Sequence, residues 1–381
     1  MKKLIRITTV PTSMRTLLKG QLKFMKQYYE VIGVSSDGEC FDEMLEEQGN
    51  IKGVKIEMTR RITLLKDLKA LLLLIKLFRK ERPFIVHTHT PKAGLLGMIA
   101  ARIANVPNRL HTIAGLPLLV ATGPKRKILN VTERITNSCA TKVYPNSFKM
   151  MSIMESLHLA DPKKMKVLCN GSTNGIDTFY FSSDNIPRNR EEIRKSLNIG
   201  NDYFVFVFVG RVVKDKGINE LAKAFKKIAG EYEKCILIVV GKFEPALDPI
   251  LPDNEKFIRE HPSIRYAGFQ SDVRPYLKAA DALVFPSYRE GFPNVVMQAG
   301  AMGLPSIVSD INGCNEIIVE GKNGTIIPPR DSDALYIAMK HFLDNKDEVK
   351  SFATNARSMI TSRYEQKDVW KALLEEYQNL K

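Results

Sequence analysis

Residues 281–318 read DALVFPSYREGFPNVVMQAGAMGLPSIVSDINGCNEII, and the alternation of apolar runs with turn residues in this stretch decides the fold. The apolar run 282–285 is short enough for a buried strand. A turn-rich loop, 286–292, follows it and carries Glu290 and Gly291. Pro293 stands at a first helical position, 294–302 reads as a helix, and Gly303 closes it. A second apolar run, 306–308, is the next strand. Strand, loop, helix, strand is one α/β unit, with Glu290 and Gly291 at the mouth of its helix. Unpaired N–H groups and a partial positive charge favour an anionic ligand group there. Gln298 lies one helical turn beyond Asn294, on the same face.

The same alternation extends through the whole chain, the pattern of an α/β protein with parallel sheets. In the first half, strands are expected at 4–10, 29–35, 54–58, 84–88, 109–113 and 142–145. Amphipathic helices are expected at 17–27, 65–81 and 93–104. Ligand-facing residues in such sheets sit at the carboxyl ends of strands. Those ends bring forward Thr12 and Ser13, the run from His89 to Lys92, and the run from His111 to Gly115. The segment 167–181, VLCNGSTNGIDTFYF, is rich in Gly, Asn, Ser and Thr and reads as the crossing to a second domain. Strands at 203–209, 235–240, 264–267, 282–285 and 306–308 follow, and a helical stretch, 351–380, ends the sequence.

A chain of 381 residues exceeds the size at which one core usually stops growing, so two domains are expected. A composition of 44% hydrophobic and 26% charged residues is that of an ordinary globular protein. The net charge of +15 points to an anionic partner: phosphate-rich ligands, a membrane surface or nucleic acid. Nucleic acid is disfavoured, since no recognition motif or aromatic interleaving accompanies the charge. The five scattered cysteines form no CxxC pair, which argues for a reducing compartment and against structural zinc. The apolar start, MKKLIRITTV, is broken by Arg6 and reads as a first strand rather than a signal peptide. The most apolar segment, 68–78, contains Lys69 and Lys76 and is too short to span a bilayer.

The second half opens with FVFVFVGRVVKDKGINEL, 204–221. A buried strand there delivers Gly210 and Arg211, and Lys216 follows just before a helix. Arginine can bind two phosphate oxygens at once and lysine adds a point charge, so the pair suits a diphosphate; a solvated basic loop is the alternative. No GxGxxG or GxxxxGK[ST] pattern supports a dinucleotide or P-loop site. His87 and His89 share a strand face, but no third metal ligand is evident. Two basic stretches, 65–82 and 123–134, fit either packed helices with solvated faces or helices lying on an anionic membrane.

Taken together, VGRVVKDKG at 209–217, NGID at 174–177, residues 268–310 and NGTIIPPRD at 323–331 resemble the GT-B glycosyltransferases of family 4, which are retaining and use nucleotide sugars. The resemblance is close in the C-terminal half and one of plan only in the N-terminal half. It implies an α/β fold of two Rossmann-like domains facing across a cleft. The first would take the acceptor and span 1–170 together with the C-terminal helix, 364–381, which crosses back; the second, 171–363, would take the nucleotide sugar. By position, Arg211 and Lys216 match the family's diphosphate-binding pair, and Glu290 matches the first of its paired glutamates, which contacts the donor sugar. Gly210 and the backbone of Gly291, Phe292, Pro293, Asn294 and Val295 would complete the donor site. Gln298 stands where the family usually has its second glutamate, against the ribose; its carbonyl can accept a hydroxyl proton but brings no charge. His111 matches an N-domain histidine facing donor sugar or acceptor, and with Arg211, Lys216 and Glu290 it forms the catalytic set that the resemblance implies. Thr12, Ser13, Gly20, Gln21, His89, Lys92, His111 and Gly115 are candidates for the acceptor side, the segment 12–21 standing where a family loop closes over the donor.

The implied activity is retaining transfer of a sugar, expected to be UDP-linked, to an acceptor hydroxyl, with neither metal nor cofactor. A polyprenyl-diphosphate-linked saccharide of capsule, O-antigen or other surface polysaccharide synthesis would be the acceptor. The enzyme would then work in the cytoplasm, peripherally on the inner face of the membrane. Two rivals share some of these features: a UDP-sugar 2-epimerase of the same fold, and a non-catalytic assembly protein on the membrane surface.

Overall fold

Alternating strands and helices pair into two parallel sheets in the computed structural model, which describes residues 1–59, 63–246 and 248–381. The chain divides into two units, Met1–Gly175 with Gln366–Lys381, and Ile176–Glu365. In the first, β1 (Lys3–Ile7), β2 (Glu30–Ser35), β3 (Lys52–Lys55), β4 (Ile85–Thr88), β5 (Asn108–Ile113) and β6 (Lys142–Pro145) are ordered β3-β2-β1-β4-β5-β6. Helices α1 (Pro11–Leu17), α2 (Gln21–Met25), α3 (Phe41–Glu47), α4 (Leu64–Glu81), α5 (Pro91–Ile103), α6 (Gly123–Cys139) and α7 (Phe148–Ser156) accompany them. One apolar cluster joins Ile5, Ile7 and Val86 to Leu74, Phe78 and Met98. A second, with Leu4, Val31 and Leu110, takes in Leu373, Leu374 and Tyr377 from the chain's C-terminal stretch.

In the second unit, helix α8 (Arg190–Ser196) leads into β7 (Phe204–Val209), α9 (Ile218–Glu231), β8 (Cys235–Val240), α10 (Pro252–Glu260), β9 (Ile264–Gly268) and α11 (Arg274–Ala279). Strands β10 (Ala282–Phe285), β11 (Ser306–Ser309) and β12 (Gly324–Ile327) alternate with α12 (Asn294–Ala301) and α13 (Cys314–Ile317), and α14 (Ser332–Asp344) and α15 (Lys346–Tyr364) follow. The last helix, α16 (Gln366–Gln378), belongs to the first unit. The sheet order is β12-β11-β10-β7-β8-β9. All six residues of β7, FVFVFV, are buried, because a central parallel strand is covered on both faces. In each sheet the strand order reverses once, beside β1 and beside β7.

Most expected strands lie within a few residues of the observed ones, and the departures have local causes. The helix expected at 17–27 is two, α1 and α2, parted by Gly20. Gly20 adopts φ +77°, and a Cβ there would lie 2.8 Å from the Trp370 ring, so the bend and the close approach both need glycine. The helical stretch 351–380 is likewise broken, at Glu365, where the backbone is extended and pairs with Ile176. Strand β3 begins before the expected 54–58 because its ladder to β2 starts at Lys52 opposite Ile32. The four-residue edge strand β12 was not expected; its apolar run is too short to stand out.

A buried polar cluster ties α16 to the first sheet. Arg6 is fully buried, and its guanidinium donates to His89 Nε2 at 3.0 Å, to Tyr377 Oη at 3.0 Å and to Gln21 Oε1. Tyr377 Oη also lies 2.6 Å from His87 Nδ1, whose other nitrogen is 2.7 Å from Thr112 Oγ1. Gln21 donates on to Asn174 Oδ1 at 3.0 Å, which also receives the Trp370 indole N–H at 2.7 Å. His111 lies nearby on β5, with Nδ1 2.7 Å from Thr88 Oγ1. Burial holds His87 and His89 well below their ordinary 6.5, and the Arg6 charge pushes the same way; burial takes His111 to about 4.

Removing the Tyr377 hydroxyl leaves two buried partners short. Tyr377→Phe is therefore expected to destabilise the first unit by about 1–3 kcal/mol, measured by urea denaturation. The histidines set a pH dependence. Below pH 6.5 the unfolded chain takes up protons that the folded chain refuses, so their contribution is complete above 6.5 and falls as the medium is acidified. Each contributes at most about 1.4 kcal/mol per pH unit, the part from His111 levelling off near 4. Burial of Glu133 raises its carboxyl to about 7 and opposes one of the three. A net loss of stability from pH 7 to pH 5 is expected, and an unchanged denaturation midpoint would contradict it.

Candidate functional site

The reversal of strand order beside β7 places the ends of two neighbouring parallel strands, β7 and β10, side by side in the second unit. Such a switch point opens a crevice at the carboxyl edge, since the following helices leave to opposite faces. Gly210 and Arg211 leave β7 there, and residues 286–293 leave β10. The two loops touch at Gly217, which has φ +70°; a Cβ on it would lie 2.0 Å from Pro286 O. Tyr288 N also donates to Asp215 O at 2.9 Å.

Lys216 ends a 3-10 turn, Lys214–Lys216, and its ammonium contacts Glu290 Oε1 directly. Both side chains are largely shielded, at 15% and 16% exposure, so this pair is screened less than a surface one. Ser287 donates its hydroxyl to the same Oε1 at 2.9 Å. Arg211 is more exposed and faces two carboxylates, Glu244 at 3.5 Å and Asp215 at 3.9 Å. Asp215 also pairs with Arg289 at 2.9 Å. Beneath them Cys314 is fully buried; burial raises its thiol well above the ordinary value, and the Glu290 charge adds to this.

Pro293 is the N-cap of α12 rather than its first residue, and no side chain caps this end. No acidic residue stands in the first turn. Among the described residues, the backbone N–H groups of Gly291, Phe292, Asn294 and Val295 have no acceptor. These donors, the helix dipole and the cations of Lys216 and Arg211 form a surface suited to a diphosphate. Gln298 lies in the second turn, half-buried, and its side chain makes no hydrogen bond among the described residues. The expected donor residues Gly210, Arg211, Lys216, Glu290 to Val295 and Gln298 thus gather around one strand pair and the helix that follows it.

The first-unit candidates divide differently. Thr12 and Ser13 lie in α1, so the segment 12–21 is mostly helix rather than a loop. Gln21 is fully buried, its amide shared between Arg6 and Asn174, and Gly20 is the bend before it. His89 is buried at the end of β4 with Nε2 taken by Arg6. Lys92 is paired with Asp67, both side chains largely shielded. His111 is buried, its ring so close to α5 that a Cβ on Gly94 would lie 2.4 Å away. Gly115 stays partly exposed in the loop after β5. Among the described residues, no group of three His, Cys, Asp or Glu side chains is placed to hold a metal ion.

Two residues of the second unit were not singled out from the sequence. Ser287 holds the Glu290 carboxylate, and Asn312, after β11, donates to the carbonyl oxygens of Gly291 and of Glu290, the latter at 3.3 Å. Both stand in 281–318; the available signal was their place just past a strand's carboxyl end.

Comparison with known proteins identifies the family. Residues 189–359 match the family described as glycosyl transferases group 1, and residues 7–147 match glycosyl transferase 4-like. The capsular polysaccharide biosynthesis glycosyltransferase CapM of Staphylococcus aureus is 35% identical over 98% of this chain and 96% of its own. The UDP-Gal:alpha-D-GlcNAc-diphosphoundecaprenol alpha-1,3-galactosyltransferase of Escherichia coli is 31% identical over 81% of this chain and 78% of its own. Among solved structures, Anabaena HepE in complex with UDP-glucose superposes with a TM-score of 0.81 at 19% identity, covering all of both chains. The chain belongs to the GT-B glycosyltransferases of family 4 and is a glycosyltransferase.

Proposed function

We propose that this glycosyltransferase moves a sugar from a UDP-linked donor, with retention of configuration, to a hydroxyl of a lipid-linked saccharide in surface polysaccharide synthesis. The observation that carries the donor half is the row of unpaired N–H groups at α12, set beside Lys216, Arg211 and Glu290. In this reading Arg211, Lys216 and the helix N-terminus neutralise the leaving diphosphate by preorganised charge, with no metal required. The bond from the anomeric carbon to the diphosphate oxygen breaks, the acceptor oxygen bonds to that carbon on the same face, and its proton passes to the leaving phosphate. Glu290 orients the donor sugar, and Lys216 is shared between it and the phosphates once donor is bound. Gln298 accepts from a ribose hydroxyl. The names of the S. aureus and E. coli relatives support a polysaccharide pathway and a diphosphoundecaprenol-linked acceptor.

A peripheral position on the inner face of the cytoplasmic membrane fits the first unit's surface. On α4, Leu64, Leu65, Leu68 and Leu72 are more than half exposed, among Lys66, Lys69 and Lys76. On α6, Ile128, Val131 and Ile135 are exposed just after Lys125, Arg126 and Lys127. Helix α5 packs against both. Apolar side chains flanked by lysine and arginine suit the boundary of an anionic bilayer. Among the described residues, no helix is long and apolar enough to cross a membrane.

The donor half is tested by a thermal-shift panel of UDP, GDP, CDP and ADP with their sugars, on wild type and Arg211→Ala. UDP compounds should raise the melting temperature, by the equivalent of about 2.7 kcal/mol at a hundredfold excess over Kd, with the shift reduced in the variant. No shift with any nucleotide overturns the proposal, and a shift with another base corrects the donor. For the membrane half, sedimentation with anionic vesicles should carry the protein down and neutral vesicles should not. Leu65→Ser combined with Leu68→Ser should weaken that binding, and equal, negligible binding to both vesicle types removes this part.

A further inference from the structure

We infer that Asn312 is a positioning residue for the donor: it aims the N–H groups of Gly291 and Phe292 out of the site's floor. The inference rests on the donor-binding reading above. Asn312 stands between β11 and α13 and is 9% exposed. Its Nδ2 carries two hydrogens and faces two carbonyl oxygens, those of Glu290 and Gly291. The described chain has no cis peptide bond, so within each planar peptide unit C=O and N–H point in opposite directions. Drawing Glu290 O and Gly291 O toward one amide therefore turns Gly291 N–H and Phe292 N–H the other way. Those two N–H groups are among the donors left without an acceptor.

The neighbouring carboxylate is fixed from the opposite side. Glu290 Oε1 receives the Ser287 hydroxyl and the Lys216 ammonium, while the Glu290 carbonyl is held by Asn312. Backbone and side chain of one residue are thus set by separate partners. Without the amide, the two peptide planes of 290–292 lose that hold, and an anion then has to order them further as it binds. The same two carbonyls cannot be held by an aspartate, whose ionised carboxylate has only acceptors to offer.

The experiment compares wild type, Asn312→Ala and Asn312→Asp by calorimetric titration with UDP, at a temperature where each is folded by circular dichroism. Both variants should bind UDP at least about tenfold more weakly, Asn312→Asp the weaker, each keeping the wild-type melting temperature. With UDP-sugar and acceptor, donor KM should rise with acceptor KM unchanged. A merely structural role lowers the melting temperature and leaves the UDP Kd of the folded protein at the wild-type value; that result overturns the inference. Failure of wild type to bind UDP refutes the donor reading itself and takes this inference with it.

Discussion

Parallel pairing of β7 with β10 is the constraint from which the site follows. Two central strands buried on both faces must send their connections over the sheet's carboxyl edge, and here the connections leave in opposite senses. The gap between them cannot be filled by a helix. It is closed by backbone: the turn at Gly217 against Pro286, and the loop that ends at Pro293. Backbone in such a place carries unsatisfied donors, and the cations beside them are held in position by Glu290 and Asp215.

The resulting electrostatics are balanced rather than simply positive. Lys216 is matched by Glu290, and Arg211 and Arg289 share Asp215. An incoming anion therefore competes with carboxylates already present, and its advantage is the row of N–H groups that no carboxylate occupies. Exposed pairs such as Arg211 with Glu244 contribute little to stability, so giving them up is inexpensive. The shielded Lys216–Glu290 contact is the one whose rearrangement matters.

Much of this was legible in the sequence because short apolar runs, prolines and glycines mark strand ends and helix starts. Strands β6, β8 and β10 begin and end at the expected residues, and Glu290 falls at the mouth of α12. The resemblance to family 4 added roles that spacing alone does not provide. Long-range partners were the part hidden from pattern reading. Gln21 looked like a loop residue because nothing local reveals that Arg6 and Asn174 will claim its amide. The bend at Gly20 answers to Trp370, far along the chain, and the edge strand β12 depends on its neighbour for definition. Asn312 was unremarked because its role is defined by which carbonyls stand opposite.

The partnership of Arg6 with Tyr377 also orders events during synthesis. These two side chains are 371 positions apart, and the Tyr377 hydroxyl is one of the three partners of the Arg6 guanidinium. The second unit, Ile176–Glu365, is complete before α16 has been made. The unit whose synthesis starts first thus receives its last helix only after the other has been made.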